Sequence, residues 1–214
     1  MHALITGATR GIGAALATEL AQDGTTLTLT ARDPRAGFEP LDVTNPTSSR
    51  ALAKRLEGQS IDLLICNAGV YLDKGHALET GFAADLWAKT FAANVTGVFL
   101  TIQALLPNLR AAKGKIAIIS SQMASQTNAP GGSYIYRASK AAALNIGRNL
   151  AVDLKPDGIA VGIYHPGWVQ TDMGGAAAQI TPAESAKGLA QRFAALSLAT
   201  TGCFETWDGR AHPL

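Results

Sequence analysis

The stretch Ala3-Leu-Ile-Thr-Gly-Ala-Thr-Arg-Gly-Ile-Gly13 decides how the rest of the chain is read. Its first four residues, Ala3 to Thr6, read as a short strand. Glycines follow at 7, 11 and 13. Without a Cβ the backbone can turn tightly and approach a bound anion closely. A helical pattern then runs from Ile12 to Gln22, so free N–H groups and the positive end of the helix dipole face the turn. A glycine triplet alone marks many ordinary tight turns. Between a strand and a helix it reads as a pyrophosphate cradle. The turn residues Gly7, Thr9, Arg10, Gly11, Ile12 and Gly13 are therefore candidate cofactor contacts.

Outward from this turn, short apolar runs alternate with longer helical patterns. Thr25 to Thr30 is rich in β-branched residues and reads as a second strand. Phe38 to Val43 reads as a third, followed by a helix capped near Thr47 or Ser48 and running to about Glu57. Ile61 to Cys66 reads as a fourth strand, about Phe82 to Arg110 as a long helix, and Lys115 to Ile119 as a fifth strand. A helix from Tyr134 to Leu154, a strand from Ile159 to Tyr164, a helix from Pro182 to about Ser197 and a strand from Cys203 to Trp207 complete the pattern. Near-continuously apolar strands alternating with helices imply a parallel sheet covered on both faces. The segment between Thr30 and Phe38 is too short for a crossover helix and is expected to be a loop.

Composition bounds the functional classes. The 214 residues suffice for one sizeable core, with no visible boundary, so 1–214 reads as a single domain. Hydrophobic residues make up 47% and charged residues 16%, which fits a compact enzyme rather than a disordered chain. The net charge of +2, without a block of like charge, suggests neither a nucleic-acid nor a membrane-surface partner. Cys66 and Cys203 sit in apolar runs and read as small buried hydrophobes in a reducing compartment. No apolar run is expected to span a bilayer, no leader pattern precedes the first strand and no metal site is expected, so the default location is the cytoplasm.

A second feature gives the turn its chemistry. Tyr136 and Lys140 lie four residues apart in Tyr134-Ile-Tyr-Arg-Ala-Ser-Lys-Ala-Ala142, on one face of the expected helix. A phenol beside an ammonium has its ionised form stabilised, so its pKa is expected to fall from about 10. Tyr134 has Ala138 four residues on, lacks such a partner and reads as packing or pocket wall.

The set Gly7-x-x-x-Gly11-x-Gly13, Asn67-Ala-Gly69, Tyr136-x-x-x-Lys140 and Pro166-Gly167 resembles the short-chain dehydrogenase/reductase superfamily, in order and over nearly the whole chain. Ala138 to Asn145, Thr181-Pro-Ala-Glu-Ser185 and Gly202 to Gly209 are similar to its carbonyl-reductase-like branch of the C-factor and sniffer type. The resemblance implies a doubly wound Rossmann-type α/β domain, with a parallel seven-stranded sheet flanked by helices in strand order 3-2-1-4-5-6-7. It implies Tyr136 as the general acid/base. Lys140 would lower its pKa and bond the nicotinamide ribose, and Ser121 would orient the substrate oxygen. Asn94 would hold a bend in the long helix and a water that relays protons to Lys140. Each has a plainer alternative. Ser120 and Ser121 could simply cap or turn the chain, and Asn94 could face solvent.

The resemblance also implies the remaining cofactor contacts. Asp42 and Val43 would meet the adenine, although Asp42 could equally be a turn acid. Asn67, Ala68 and Gly69 would lie beside the adenosine ribose. The commoner family form has a second asparagine where this chain has Cys66. Pro166 and Gly167 would expose backbone to the nicotinamide, with Val169 and Thr171 following and Thr171 on its carboxamide. Asp62 reads as structural and His165 as a turn histidine. The end of the second strand, where an NAD enzyme places an acid, holds Ala31 followed by Arg32. Arg32 and Arg10 would suit a 2′-phosphate, with Asp33 the contrary feature. NADP is therefore expected, with NAD as the alternative.

The function so implied is hydride transfer between NADP(H) and a carbonyl or secondary alcohol. An epimerase or dehydratase on the same fold and a non-enzymatic cofactor-binding sensor are the rivals. Met123, Tyr134, Trp168 and Met173 would line an open pocket for varied apolar carbonyls. A homodimer or homotetramer through the helices around 82–110 and 134–154 is the expected assembly.

Overall fold

A computed structural model describes residues 1–33 and 35–214. Strand β1 (His2–Ile5) leads through the glycine turn into helix α1 (Gly11–Gln22), and β2 (Thr26–Ala31) returns beside β1. Next come β3 (Glu39–Pro40), α2 (Pro46–Arg55) and β4 (Leu63–Cys66). A long helix follows, α3 (Ala84–Phe91) passing through a π-helical turn (Ala92–Thr96) into α4 (Gly97–Ala112). Then β5 (Lys115–Ile119), α5 (Tyr134–Asp153), β6 (Ala160–His165), α6 (Pro182–Ala195) and β7 (Phe204–Thr206) close the order. The seven strands form one sheet, ordered 3-2-1-4-5-6-7, with every pairing parallel. The expected fold class and strand order are therefore found.

Side chains alternate across each strand and so serve two cores. Leu4, Leu64, Ile116, Ile118, Val161 and Ile163 pack with Leu52, Ile102, Leu105 and Leu109 from α2 and α4. Ala3, Ile5, Ile65, Ala117 and Tyr164 pack on the other face with Leu16, Leu20, Leu189 and Phe193 from α1 and α6. The glycine turn and the other strand-to-helix connections lie at the carboxyl edge of the sheet, where a doubly wound fold places its ligands.

Several boundaries differ from expectation for local reasons. Strand β3 spans two residues rather than Phe38 to Val43. Pro40 has no N–H to continue the ladder at this edge. Helix α2 begins earlier than Thr47, because Asn45 caps it by accepting from the Thr47 amide at 3.0 Å and Pro46 fits the first turn. Ile61 and Asp62 lie outside β4, their amides bonded to Asn108 and His2 carbonyls. The expectation that no apolar run could span a bilayer also needs correcting. The continuous helix Ala84–Ala112 is long and apolar enough by length and composition. Its apolar stripe Val98, Ile102, Leu105 and Leu109 is buried against the sheet.

Candidate active site

The glycine turn is held in shape before any ligand is considered. Gly7 and Gly11 have φ of +65° and +56°, the left-handed region that favours glycine. A Cβ on Gly13 would lie 2.4 Å from the Gly7 carbonyl oxygen. Asn67 stitches the turn to the end of β4, its Nδ2 donating to the Thr6 and Gly7 carbonyls at 3.0 and 3.1 Å. The Thr6 hydroxyl accepts from the amides of Asn67 and Ala68 at 2.9 and 3.0 Å. Helix α1 starts after Arg10 with no side-chain cap and no acidic residue in its first turn. Its N-terminal N–H groups are thus available to an anion, so the cradle fits a dinucleotide pyrophosphate.

Across the carboxyl edge, Thr171 lies over Gly11, its methyl 3.3 Å from where a Cβ of Gly11 would stand. The Pro166 carbonyl accepts from Ser185 at 2.6 Å, which ties the Pro-Gly turn to α6. Val169 is buried. Asp42 Oδ1 accepts from both the amide and the hydroxyl of Thr44, at 2.9 and 2.7 Å, as a turn acid does. The Val43 carbonyl rests on Gly97, where a Cβ would come within 2.6 Å.

Helix α5 begins at Tyr134 and brings Tyr136 and Lys140 to the same edge. Lys140 donates to the Ile119 carbonyl at 2.9 Å, and its Nζ stands 5.6 Å from the centre of the Tyr136 ring. Ser121 follows β5 and lies beside the Tyr136 phenol, while its oxygen caps the short turn Gln122–Ala124. Ser120 points the other way and donates to the Lys140 carbonyl at 3.0 Å. Ser121 thus faces the phenol and also caps the turn. Asn94 lies in the π turn and is buried. Its Oδ1 accepts from the Val70 amide at 2.8 Å, and its Nδ2 donates to the Val70 carbonyl and the Ser139 hydroxyl at 2.9 and 3.0 Å. It does not face solvent. Gly69 joins these groups, since a Cβ there would stand 3.1 Å from Asn94 Oδ1 and 3.5 Å from Lys140 Nζ.

The electrostatics correct one expectation. Burial pushes the Tyr136 phenol above its ordinary range, Ser121 draws it down in part, and Tyr71 raises it again. Burial also lowers the Lys140 ammonium to about 8. Desolvation therefore outweighs the neighbouring cation that the spacing suggested. His165 ends β6, and burial first and His212 second lower its pKa to about 4. Cys66 is a buried free thiol pushed up to about 12.

The two arginines are already engaged. Arg10 pairs with Asp172, and both are about three-quarters exposed at 76% and 77%. Arg32 pairs loosely with Asp33 at 3.8 Å. Asp172 carries no motif signal. Neither do Tyr71 and Asp73, which reach Tyr136 from the loop after β4. The ring of Tyr71 stacks on that of Tyr136 at 4.3 Å, and Asp73 accepts from its amide at 3.2 Å.

A family model described as short chain dehydrogenase matches residues 1–180. The chain belongs to the short-chain dehydrogenase family. Among its relatives, C-signal of Myxococcus xanthus is 38% identical over 166 residues, covering 77% of this chain and 99% of that protein. A 1-hydroxy-2-glutathionyl-2-methyl-3-butene dehydrogenase of Rhodococcus is 38% identical over 177 residues, covering 79% and 76%. The carbonyl reductase Sniffer of D. melanogaster superposes with a TM-score of 0.93 at 28% identity, covering 100% of this chain and 99% of its own. An NADPH-bound carbonyl reductase from chicken fatty liver gives a TM-score of 0.90 at 29% identity, covering 100% and 98%. These neighbours match the branch expected from the sequence.

Proposed function

We propose that this dehydrogenase transfers a hydride between NADP(H) and a carbonyl or secondary alcohol. The observation that carries the reading is the convergence of Tyr136, Lys140, Ser121 and Asn94 beside an uncapped, glycine-lined helix N-terminus. One domain carries both cofactor and substrate sites. The missing acid at Ala31 and the guanidiniums of Arg10 and Arg32 support NADP over NAD, as do the NADP-bound neighbours.

The bound nicotinamide supplies the hydride chemistry. The protein supplies the proton and the hold on oxygen. In the reducing direction Tyr136 gives its phenolic proton to the substrate oxygen. Its raised pKa keeps that proton in place at neutral pH. Ser121 and Tyr136 hold the developing alkoxide. Lys140 would bond the ribose hydroxyls. Asn94 would fix the helix and a proton-relaying water against the loop after β4.

Tyr134, Trp168 and Met173 are exposed at the rim, at 39%, 46% and 39%. An open rim of this kind fits bulky or varied apolar carbonyls. Exposed Trp87, Phe99 and Val152 on the long helices support association into a homodimer or homotetramer. The cytoplasm is the proposed location. The test is NADPH oxidation against a panel of aldehydes, ketones and quinones. Turnover in the wild type and its loss in Tyr136→Phe support the reading. Absence of turnover across the panel, with NADPH bound, would count against it.

A further inference from the structure

The loop after β4 contains a carboxylate with no exposed surface, Asp73 at 0%. A buried carboxylate is costly unless its oxygens are bonded. Here Oδ2 accepts from the Ile135 amide at 2.9 Å and Oδ1 from the Tyr136 amide at 3.2 Å. These are first-turn N–H groups of α5, where an anion also meets the positive end of the helix dipole. The residue at the cap position cannot do this work. Ser133 has φ of +49° and makes no side-chain cap bond. Its hydroxyl is instead bonded to the Tyr71 phenol. Tyr71 in turn stacks on the Tyr136 ring at 4.3 Å and 23°. Two residues before Asp73 sits that ring, and one further back Val70 takes both ends of the Asn94 amide. Three residues of one short segment, Val70, Tyr71 and Asp73, therefore grip the backbone and ring of Tyr136 and the side chain of Asn94.

We propose that Asp73 and Tyr71 are positioning residues that fix Tyr136 for proton transfer, Asp73 through the backbone and Tyr71 through the ring and the Ser133 turn. The inference rests on the reading of Tyr136 as the acid/base. Asparagine at 73 keeps one acceptor but turns an NH2 group onto the second amide. The tyrosine would then sit less firmly, and displacement of a reacting group by about 1 Å can cost about a hundredfold in rate. Neither residue is expected to touch the cofactor.

The experiment measures kcat, KM for a carbonyl substrate, NADPH affinity by fluorescence and thermal midpoint in Asp73→Asn, Tyr71→Phe and Tyr136→Phe. Asp73→Asn should lose about tenfold or more in kcat, with KM and NADPH affinity within about twofold of wild type. Tyr71→Phe keeps the stack and loses only the Ser133 bond, so a severalfold loss in kcat alone is expected. Wild-type kcat in folded Asp73→Asn overturns the proposal, as does a loss that follows NADPH binding in proportion. If Asp73→Asn does not fold, Tyr71→Phe decides, and an unchanged kcat there overturns it. Wild-type turnover in Tyr136→Phe would instead remove the acid/base reading, a result distinguishable from either of these.

Discussion

Lys140 places its ammonium 5.6 Å from the centre of the Tyr136 ring while donating to the Ile119 carbonyl at 2.9 Å. The two side chains are neighbours on one helix face, yet both titrate as buried groups rather than as a charge pair. Tyr136→Phe removes only a hydroxyl. Turnover should fall by about a hundredfold or more, the usual contribution of general acid catalysis, while NADPH affinity stays within about twofold. Steady-state rates and a binding titration check both halves.

Lys140→Met should weaken NADP(H) binding. It should also alter stability. With its pKa lowered to about 8, the folded lysine holds fewer protons than the unfolded one from about pH 8 up to the ordinary lysine value. The wild type should therefore gain stability as pH rises through that window, and below it the cost of a buried ammonium is fully present. Removing the lysine should flatten this slope and leave the variant at least as stable as the wild type at pH 7. Denaturant unfolding at pH 7 and pH 9 measures it, and an unchanged slope would reject the buried-cation account.

Asp172 competes for the guanidinium assigned to the 2′-phosphate. Asp172→Ala should free Arg10 and tighten NADP binding severalfold, an exposed pair being worth about 1 kcal/mol or less. Arg32→Asp should shift preference towards NAD. Parallel titrations with both cofactors test the pair of changes, and equal affinity of the wild type for NADP and NAD would argue against the assignment.

His165 is held neutral by burial, and its Nδ1 has no partner among the described residues. The unfolded state binds the extra proton from about pH 6.5 down to about 4, so stability should fall as pH drops across that window. His165→Gln should blunt this acid limb without touching turnover at neutral pH. Thermal midpoints between pH 4 and 7 provide the comparison.

The sheet order was legible because apolar runs, glycine turns and helical periodicity all agree with one winding. Where they failed, a single residue explains each case: Pro40 ends β3, and Asn45 moves the start of α2. Tyr136 and Lys140 were legible because their contact is local, four residues along a helix. Asp73 and Tyr71 were not, since they reach the helix from 62 and 65 positions away in the chain and no spacing rule marks such a partner. The Arg10–Asp172 pair spans 162 positions and is hidden for the same reason. The direction of the Tyr136 shift was missed because burial is a property of the folded site, invisible to a neighbour count along the sequence.

The π turn at Ala92–Thr96 bears on which insertions and deletions this chain can tolerate. Each α-helical residue advances about 100° around the axis. A π turn widens to take one residue more without that advance, so deleting one residue from it would restore plain α geometry and leave the helices on either side in phase. Val98, Ile102, Leu105 and Leu109 would then stay against the sheet, whereas Asn94, inside the turn, would lose its place opposite Val70. A single-codon loss at this point should therefore spare the fold and disturb the site around Asn94. In the exposed turn at Gly131 and Gly132, where added side-chain atoms meet nothing within 4 Å, the chain has room for change of length.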